Sequence, residues 1–95
     1  MPAVEIEIIN KLGLHARASA KFVGIAGQFP CQIQAGRTPE SMVDGKSIMA
    51  MMMLAAGKGT TIHIKTEGEK DQEALDALVA LIYIIAQFFI LSNLF

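Results

Sequence analysis

The sequence predicts an α+β domain, an antiparallel sheet of four strands with three helices on one face, in the order β-α-β-β-α-β-α. Three observations carry this. Apolar and polar residues alternate with period two in segments near residues 3–8 and 60–67, segments with helical spacing lie between and after them, and the whole order fits within fewer than 85 residues, too few to cover both faces of a sheet. At 95 residues and 10.2 kDa the chain is sized for one compact domain.

Val4, Ile6 and Ile8 alternate with Glu5 and Glu7, so the first strand runs from Ala3 to Ile8 with one buried and one wet face. Gly13-Leu14-His15 breaks the alternation, and a helix from Ala16 to Phe29 follows, with Ala20, Val23, Ala26 and Gly27 at helical spacing and Pro30 as its stop. Cys31, Ile33 and Ala35 alternate with Gln32 and Gln34, Gly36 to Pro39 supplies turn chemistry, and Met42-Val43 adds another short strand. Asp44-Gly45 is a turn pair, and Ser47 is an N-cap for a short helix from Ile48 to Ala56 that Gly57-Lys58-Gly59 ends. Thr60, Ile62, Ile64 and Thr66 alternate with Thr61, His63, Lys65 and Glu67, a fourth strand rich in β-branched residues. Thr66 and Glu69 have the spacing of a capping box, Glu69, Asp71 and Glu73 suit a helix N-terminus, and Leu75, Leu78, Val79 and Ile82 form the apolar stripe of the third helix.

Composition excludes several functions. Net charge is −1 and no two basic residues are adjacent, so the cationic footprint of a nucleic-acid binder is missing and no nucleic-acid partner is expected. The single cysteine, Cys31, cannot form an internal disulfide, and the start MPAVEIEI has no basic segment leading into an apolar one, so the cytoplasm is the expected compartment. Gly45-Lys46-Ser47 ends like a P-loop, but Glu40 stands where that loop needs its first glycine. One cysteine and two distant histidines make no ligand set for zinc, so we expect no metal and no cofactor.

The stretch Gly13-Leu14-His15-Ala16-Arg17-Ala18-Ser19-Ala20 sets a histidine at the mouth of a helix, where the first backbone N–H groups have no intrahelical partner. Such a mouth binds anions and favours the neutral, nucleophilic ring, while Arg17 offers a planar donor fork to phosphate oxygens. These are the parts of a phosphoryl acceptor, and no catalytic base is needed. A histidine in that place can also simply cap the helix beside a solvated arginine, and local spacing alone does not choose between the two.

GLHARASAKFV, the later VDGKSIMAMMMLAAGKGTTIHI and the acidic helix EKDQEALDAL together resemble the HPr family, the histidine-containing phosphocarriers of the bacterial phosphoenolpyruvate-dependent phosphotransferase system. The resemblance spans about residues 3 to 82, and it implies an open-faced β-sandwich. It implies that His15 takes a phosphoryl group on Nδ1 from enzyme I, that Arg17 stabilises the phosphate, and that enzyme IIA domains receive the group. Such carriers are phosphorylated intermediates and not independent catalysts. The family usually has proline after the arginine, where this chain has Ala18; alanine is a strong helix former, so the turn should survive with slightly less rigidity. By the same resemblance Ser47 is the target of a dedicated HPr kinase, although as a bare residue it is only an N-cap. Met49, Met51, Met52 and Met53 cannot all face inward on one short helix. We expect Met51 and Leu54 to be buried, leaving Ile48, Met49 and Met52 as an apolar contact patch near His15. A relative that reports nitrogen or carbon status through the same histidine is the alternative reading.

The resemblance stops at Ile82, and this divides the chain into a phosphocarrier domain, residues 1–82, and an atypical apolar extension, residues 83–95. The run from Ala77 to Phe95 carries no charge and reaches the length of a transmembrane candidate, but it has no basic flank, so membrane insertion is not expected. A helix apolar all round needs protein or lipid to cover it, and an altered or frame-shifted C-terminus would also look like this. Self-association through this extension is expected, and an interaction or membrane-anchored module that uses it is the alternative reading of a different class.

Overall fold

The computed structural model describes residues 2–8, 15–54, 57 and 59–94, the last ten of these as backbone. Its elements are β1 (Ala3–Glu7), α1 (Ala16–Ala26), β2 (Gln32–Gly36), β3 (Met42–Asp44), α2 (Ile48–Met53), β4 (Thr61–Glu67) and α3 (Asp71–Leu94). The expected order is observed, and the strands form one sheet in the order β1-β4-β2-β3 with every pair antiparallel.

Register decides which residues share a face. Val4, Ile64, Ala35 and Val43 are successive cross-strand partners, as are Ile6 with Ile62 and Thr66 with Ile33, and this row system points into the core. The alternate rows, Ala3-Lys65-Gln34-Asp44 and Glu5-His63-Gly36-Met42, lie on the other face and are largely polar. Only one face therefore has apolar area to lose from water, and the helices pack there, closing over Phe22, Met51 and Leu78, each fully buried. The open face of the sandwich follows from the alternation.

Five local expectations are corrected. The inward stripe of α1 is Ala18, Ser19, Phe22 and Ala26, whereas Ala20 is exposed and Val23 half-buried. Turning Phe22 inward removes far more apolar area than turning Ala20 inward, and the helix rotates accordingly. α1 also stops at Ala26: Gln28 and Phe29 donate to the carbonyls of Ile25 and Ala26, three residues back, in a tightening turn before Pro30. Thr66 is no cap. It belongs to β4, is fully buried, and donates its hydroxyl to the carbonyl of Asp71 at 2.8 Å. The start of α3 is built instead by Gly68, φ 125°, and Lys70, φ 62°, with the Asp71 carboxylate accepting from the Gly68 N–H at 3.3 Å. β4 also begins at Thr61, one residue after the expected start, and Thr60 lies in the turn that accepts the N–H of Ile8 at 2.9 Å. α2 ends at Met53, and Ala55 and Ala56, expected to continue it, lie outside the described residues.

Gly36, at the end of β2, lies against the backbone that enters β3: a Cβ there would drive into the backbone carbonyl of Ser41. That neighbour is main chain and cannot rotate away. We expect Gly36→Ala to lower unfolding free energy by about 2 kcal/mol or more, as overpacked sites do, read as an earlier urea midpoint at unchanged slope. An unshifted midpoint would show that the β2–β3 approach is not fixed.

Candidate functional site

α1 begins abruptly after an extended residue. His15 has φ −69° and ψ 179°, the extended geometry of an N-cap, and its carbonyl accepts the first intrahelical bond from Ser19 N–H at 2.8 Å. The N–H groups of Ala16, Arg17 and Ala18 precede that bond and have no carbonyl behind them in the helix. One of them is used by the histidine itself: Arg17 N–H donates to His15 Nδ1 at 3.2 Å. Nδ1 is therefore the unprotonated nitrogen in this arrangement, with its lone pair held over the start of the helix. The ring is half-buried and the Arg17 side chain is exposed. Ala18, in place of proline, is buried and helical, so the first turn forms without it. Gly13 and Leu14 of the motif lie outside the described residues.

α2 is entered through a turn that the sequence only partly shows. Lys46 N–H donates to Asp44 Oδ1 at 2.9 Å, Gly45 N–H to the Ile33 carbonyl at 2.8 Å, and Lys46 Nζ reaches the Phe29 carbonyl at 2.7 Å, tying the entrance of α2 to the end of α1. Ser47 is the N-cap, extended at φ −108° and ψ 118°, its Oγ accepting from Ala50 N–H at 3.2 Å. At the far end Arg37 Nε donates to the Leu54 carbonyl at 2.8 Å, a favourable place for a cation. Neither the Lys46 nor the Arg37 bond has a sequence signal, since each joins residues 17 apart.

α1 and α2 are packed neighbours. The expected patch on α2 is present: Ile48, Met49 and Met52 are exposed, Met51 is fully buried and Leu54 is half-buried. The sequence reading missed Met53, which at 80% is the most exposed of the group. His63 is elsewhere. It sits half-buried on the open face between Glu5 and Gly36, beside a shallow groove of about 400 Å³ also lined by Met42 and Lys65, with the sheet between it and the helices. Among the described residues no three His, Cys, Asp or Glu side chains gather into a metal-binding group.

The site is thus a histidine with its Nδ1 lone pair at a helix mouth, followed by an arginine and flanked by a second capped helix. The family model described as "PTS HPr component phosphorylation site" matches residues 3–83. The chain belongs to the HPr family. Phosphocarrier protein HPr of Pseudomonas aeruginosa is 74% identical over 82 residues, 86% of this chain and 91% of that protein. HPr-like protein Crh of Halalkalibacterium halodurans is 44% identical, over 82% of this chain and 92% of its own length. Among solved structures, HPr of Thermoanaerobacter tengcongensis superposes with a TM-score of 0.84 at 41% identity, covering 92% of this chain and 97% of that one. The HPr resemblance and the open-faced sandwich are thus both observed, and the chain has a place among phosphocarriers of the phosphotransferase system.

The capping geometry of α2 yields a measurable expectation. Ser47→Ala leaves the Ala50 N–H without its side-chain acceptor and should cost about 1 kcal/mol of stability, while Ser47→Asp, which can accept the same bond, should cost less than half of that. Equal urea midpoints for wild type and Ser47→Ala would show that the cap contributes nothing.

Proposed function

We propose that this chain carries a phosphoryl group on His15 Nδ1, receiving it from enzyme I charged by phosphoenolpyruvate and passing it to enzyme IIA domains for sugar uptake or regulation. The observation that carries the reading is the Arg17 N–H to His15 Nδ1 bond at 3.2 Å, which aims the lone pair at the start of α1. In the reaction that lone pair attacks the phosphorus on the donor, the N–P bond forms, and the donor's bond breaks with its electron pair returning to the donor. The incoming oxygens meet the N–H groups of Ala16, Arg17 and Ala18, and the Arg17 guanidinium is the nearby cation able to bind two of them. The phosphoramidate so formed is a high-energy bond, so the group moves on readily.

Ile48, Met49 and Met52 serve in this reading as the adaptable apolar surface on which successive partners dock, and Met53 extends it. Ser47 lies at its edge, half-buried and at a helix start, so phosphorylation by an HPr kinase leaves the fold in place and adds negative charge to the docking surface. Residues 1–82 constitute the carrier, acting in the cytoplasm, and residues 83–95 are an addition to it. A regulatory carrier is the second reading, supported by 36% identity and a TM-score of 0.61 to the solution structure of "Crh, the Bacillus subtilis Catabolite Repression HPr". Discharge of the phosphorylated protein to enzyme IIA domains separates the two readings.

Incubation with enzyme I and labelled phosphoenolpyruvate should place acid-labile, alkali-stable label on His15 alone. Label retained by His15→Ala, or found on His63, would overturn the assignment. Arg17→Ala should keep the urea midpoint and slow transfer roughly ten- to hundredfold, the scale on which a lost charge-stabilising donor acts.

Ser47→Asp tests the docking surface. Its transfer rate from enzyme I at low salt should fall about tenfold, and the deficit should shrink as added salt screens the new charge. Equal rates at low salt would remove Ser47 from the interface.

A further inference from the structure

Met49, Met52 and Met53 are 71%, 46% and 80% exposed, whereas Met51, between them in sequence, is fully buried. Residues three and four apart share a face of a helix, so these three thioethers form one group on α2 and Met51 points away from it. Met42 is half-buried and the Cys31 thiol is buried. Among the described residues, every exposed methionine or cysteine therefore lies on α2.

The helix does not rest on those three side chains. Ser47 caps its start, Lys46 Nζ ties that start to the Phe29 carbonyl, Arg37 Nε holds the Leu54 carbonyl at its end, and Met51 anchors it in the core. The exposed side chains can change chemically while all four supports stay in place. Leucine or isoleucine would offer a similar apolar surface without such chemistry; a thioether is the apolar group that a mild oxidant turns polar.

We propose that Met49, Met52 and Met53 are a reversible oxidation site that weakens partner docking on α2, an inference that rests on the reading of this surface as the docking face. A sulfur lone pair attacks one oxygen of hydrogen peroxide, the S–O bond forms as the O–O bond breaks, and the departing hydroxide takes the proton of the transferred oxygen and leaves as water. The sulfur gives up two electrons and the peroxide gains them. Two thiols of a sulfoxide reductase reverse the step, removing the oxygen as water and becoming a disulfide. The sulfoxide is neutral but strongly dipolar, so an apolar partner surface must bury an acceptor with no donor opposite it. Because no charge is added, salt does not relieve the effect, unlike that of a phosphate at Ser47.

Millimolar hydrogen peroxide followed by peptide mass spectrometry should find one added oxygen on each of Met49, Met52 and Met53 and none on Met51, at an unchanged urea midpoint. The KM for transfer from enzyme I to the treated full chain should rise about tenfold at low and high salt alike, with His15 still labelled at saturation. Methionine sulfoxide reductases with a dithiol should restore the starting KM. M49L/M52L/M53L, which keeps Met1, Met42 and Met51, should show one KM before and after peroxide, whatever that KM is. Unchanged transfer by the treated wild type, oxygen on Met51 with loss of the fold, failure of the reductases to restore KM, or an equal rise in the triple variant would each overturn the proposal. An untreated chain that takes no phosphoryl group on His15 would instead overturn the carrier reading beneath it.

Discussion

The one-sided burial of β4 is the constraint on which the rest of the molecule depends. β4 pairs with β1 on one side and β2 on the other, and its inward residues Ile62, Ile64 and Thr66 are all fully buried. Because side chains alternate, the same strand must present His63 and Lys65 to the opposite face. Slipping the register by one residue would exchange those sets and place a histidine and a lysine beneath the helices. The helices are thereby confined to one side, and so are their capped ends at His15 and Ser47.

Confinement gives α1 and α2 different caps on a shared layer. Ser47 caps α2 with a hydroxyl, a good acceptor that satisfies Ala50 N–H and whose neighbourhood is pinned by Lys46 to the end of α1. His15 caps α1 with a ring nitrogen at the same 3.2 Å. The hydroxyl cap sits on the shorter helix, which has six residues and little propensity to stand alone. The imidazole cap sits on the eleven-residue helix, which Phe22 anchors to the core independently of its first turn.

Much of this was legible in the residues, for identifiable reasons. The alternation in β1 and β4, the cap at Ser47 and the stripe of Leu75, Leu78 and Ile82 are all local patterns, and local patterns survive folding when tertiary burial agrees with them. The stripe of α1 was misjudged because Ala20 and Val23 share helical spacing as well as Ala18 and Phe22 do, and only competition for buried area separates them. Thr66 was misjudged because a threonine followed three residues later by glutamate satisfies a cap pattern and a strand pattern alike; the register with Ile33 decides for the strand. The Lys46 and Arg37 bonds to distant carbonyls were invisible, since a cation's partner 17 residues away exists only once the chain has folded. The helix-mouth histidine was legible as a candidate, but choosing between a cap and an acceptor required the wider motif pattern, because the local geometry of the two is the same.

That shared geometry bears on how a carrier can work. A serine at position 15 would satisfy the helix start with a hydroxyl oxygen, whose phosphate ester would hold the group too firmly for onward transfer. The imidazole satisfies it with the same lone pair that would form the N–P bond, so in the proposed reaction the cap is given up as the phosphoryl group arrives, and the phosphoryl oxygens take over the N–H groups it leaves. The helix start gains an anion where it had a neutral acceptor, an advantage of about 0.3–1 kcal/mol at an exposed helix end. Such a gain favours the loaded form only mildly, by less than one power of ten in equilibrium. A deeper anion site would hold the group; in the proposed reaction this one, half-buried and beside an exposed arginine, would stabilise it without trapping it. In the proposed reaction, transfer thus rests on a cap that is given up as the group arrives, at the start of a helix that the core anchors elsewhere.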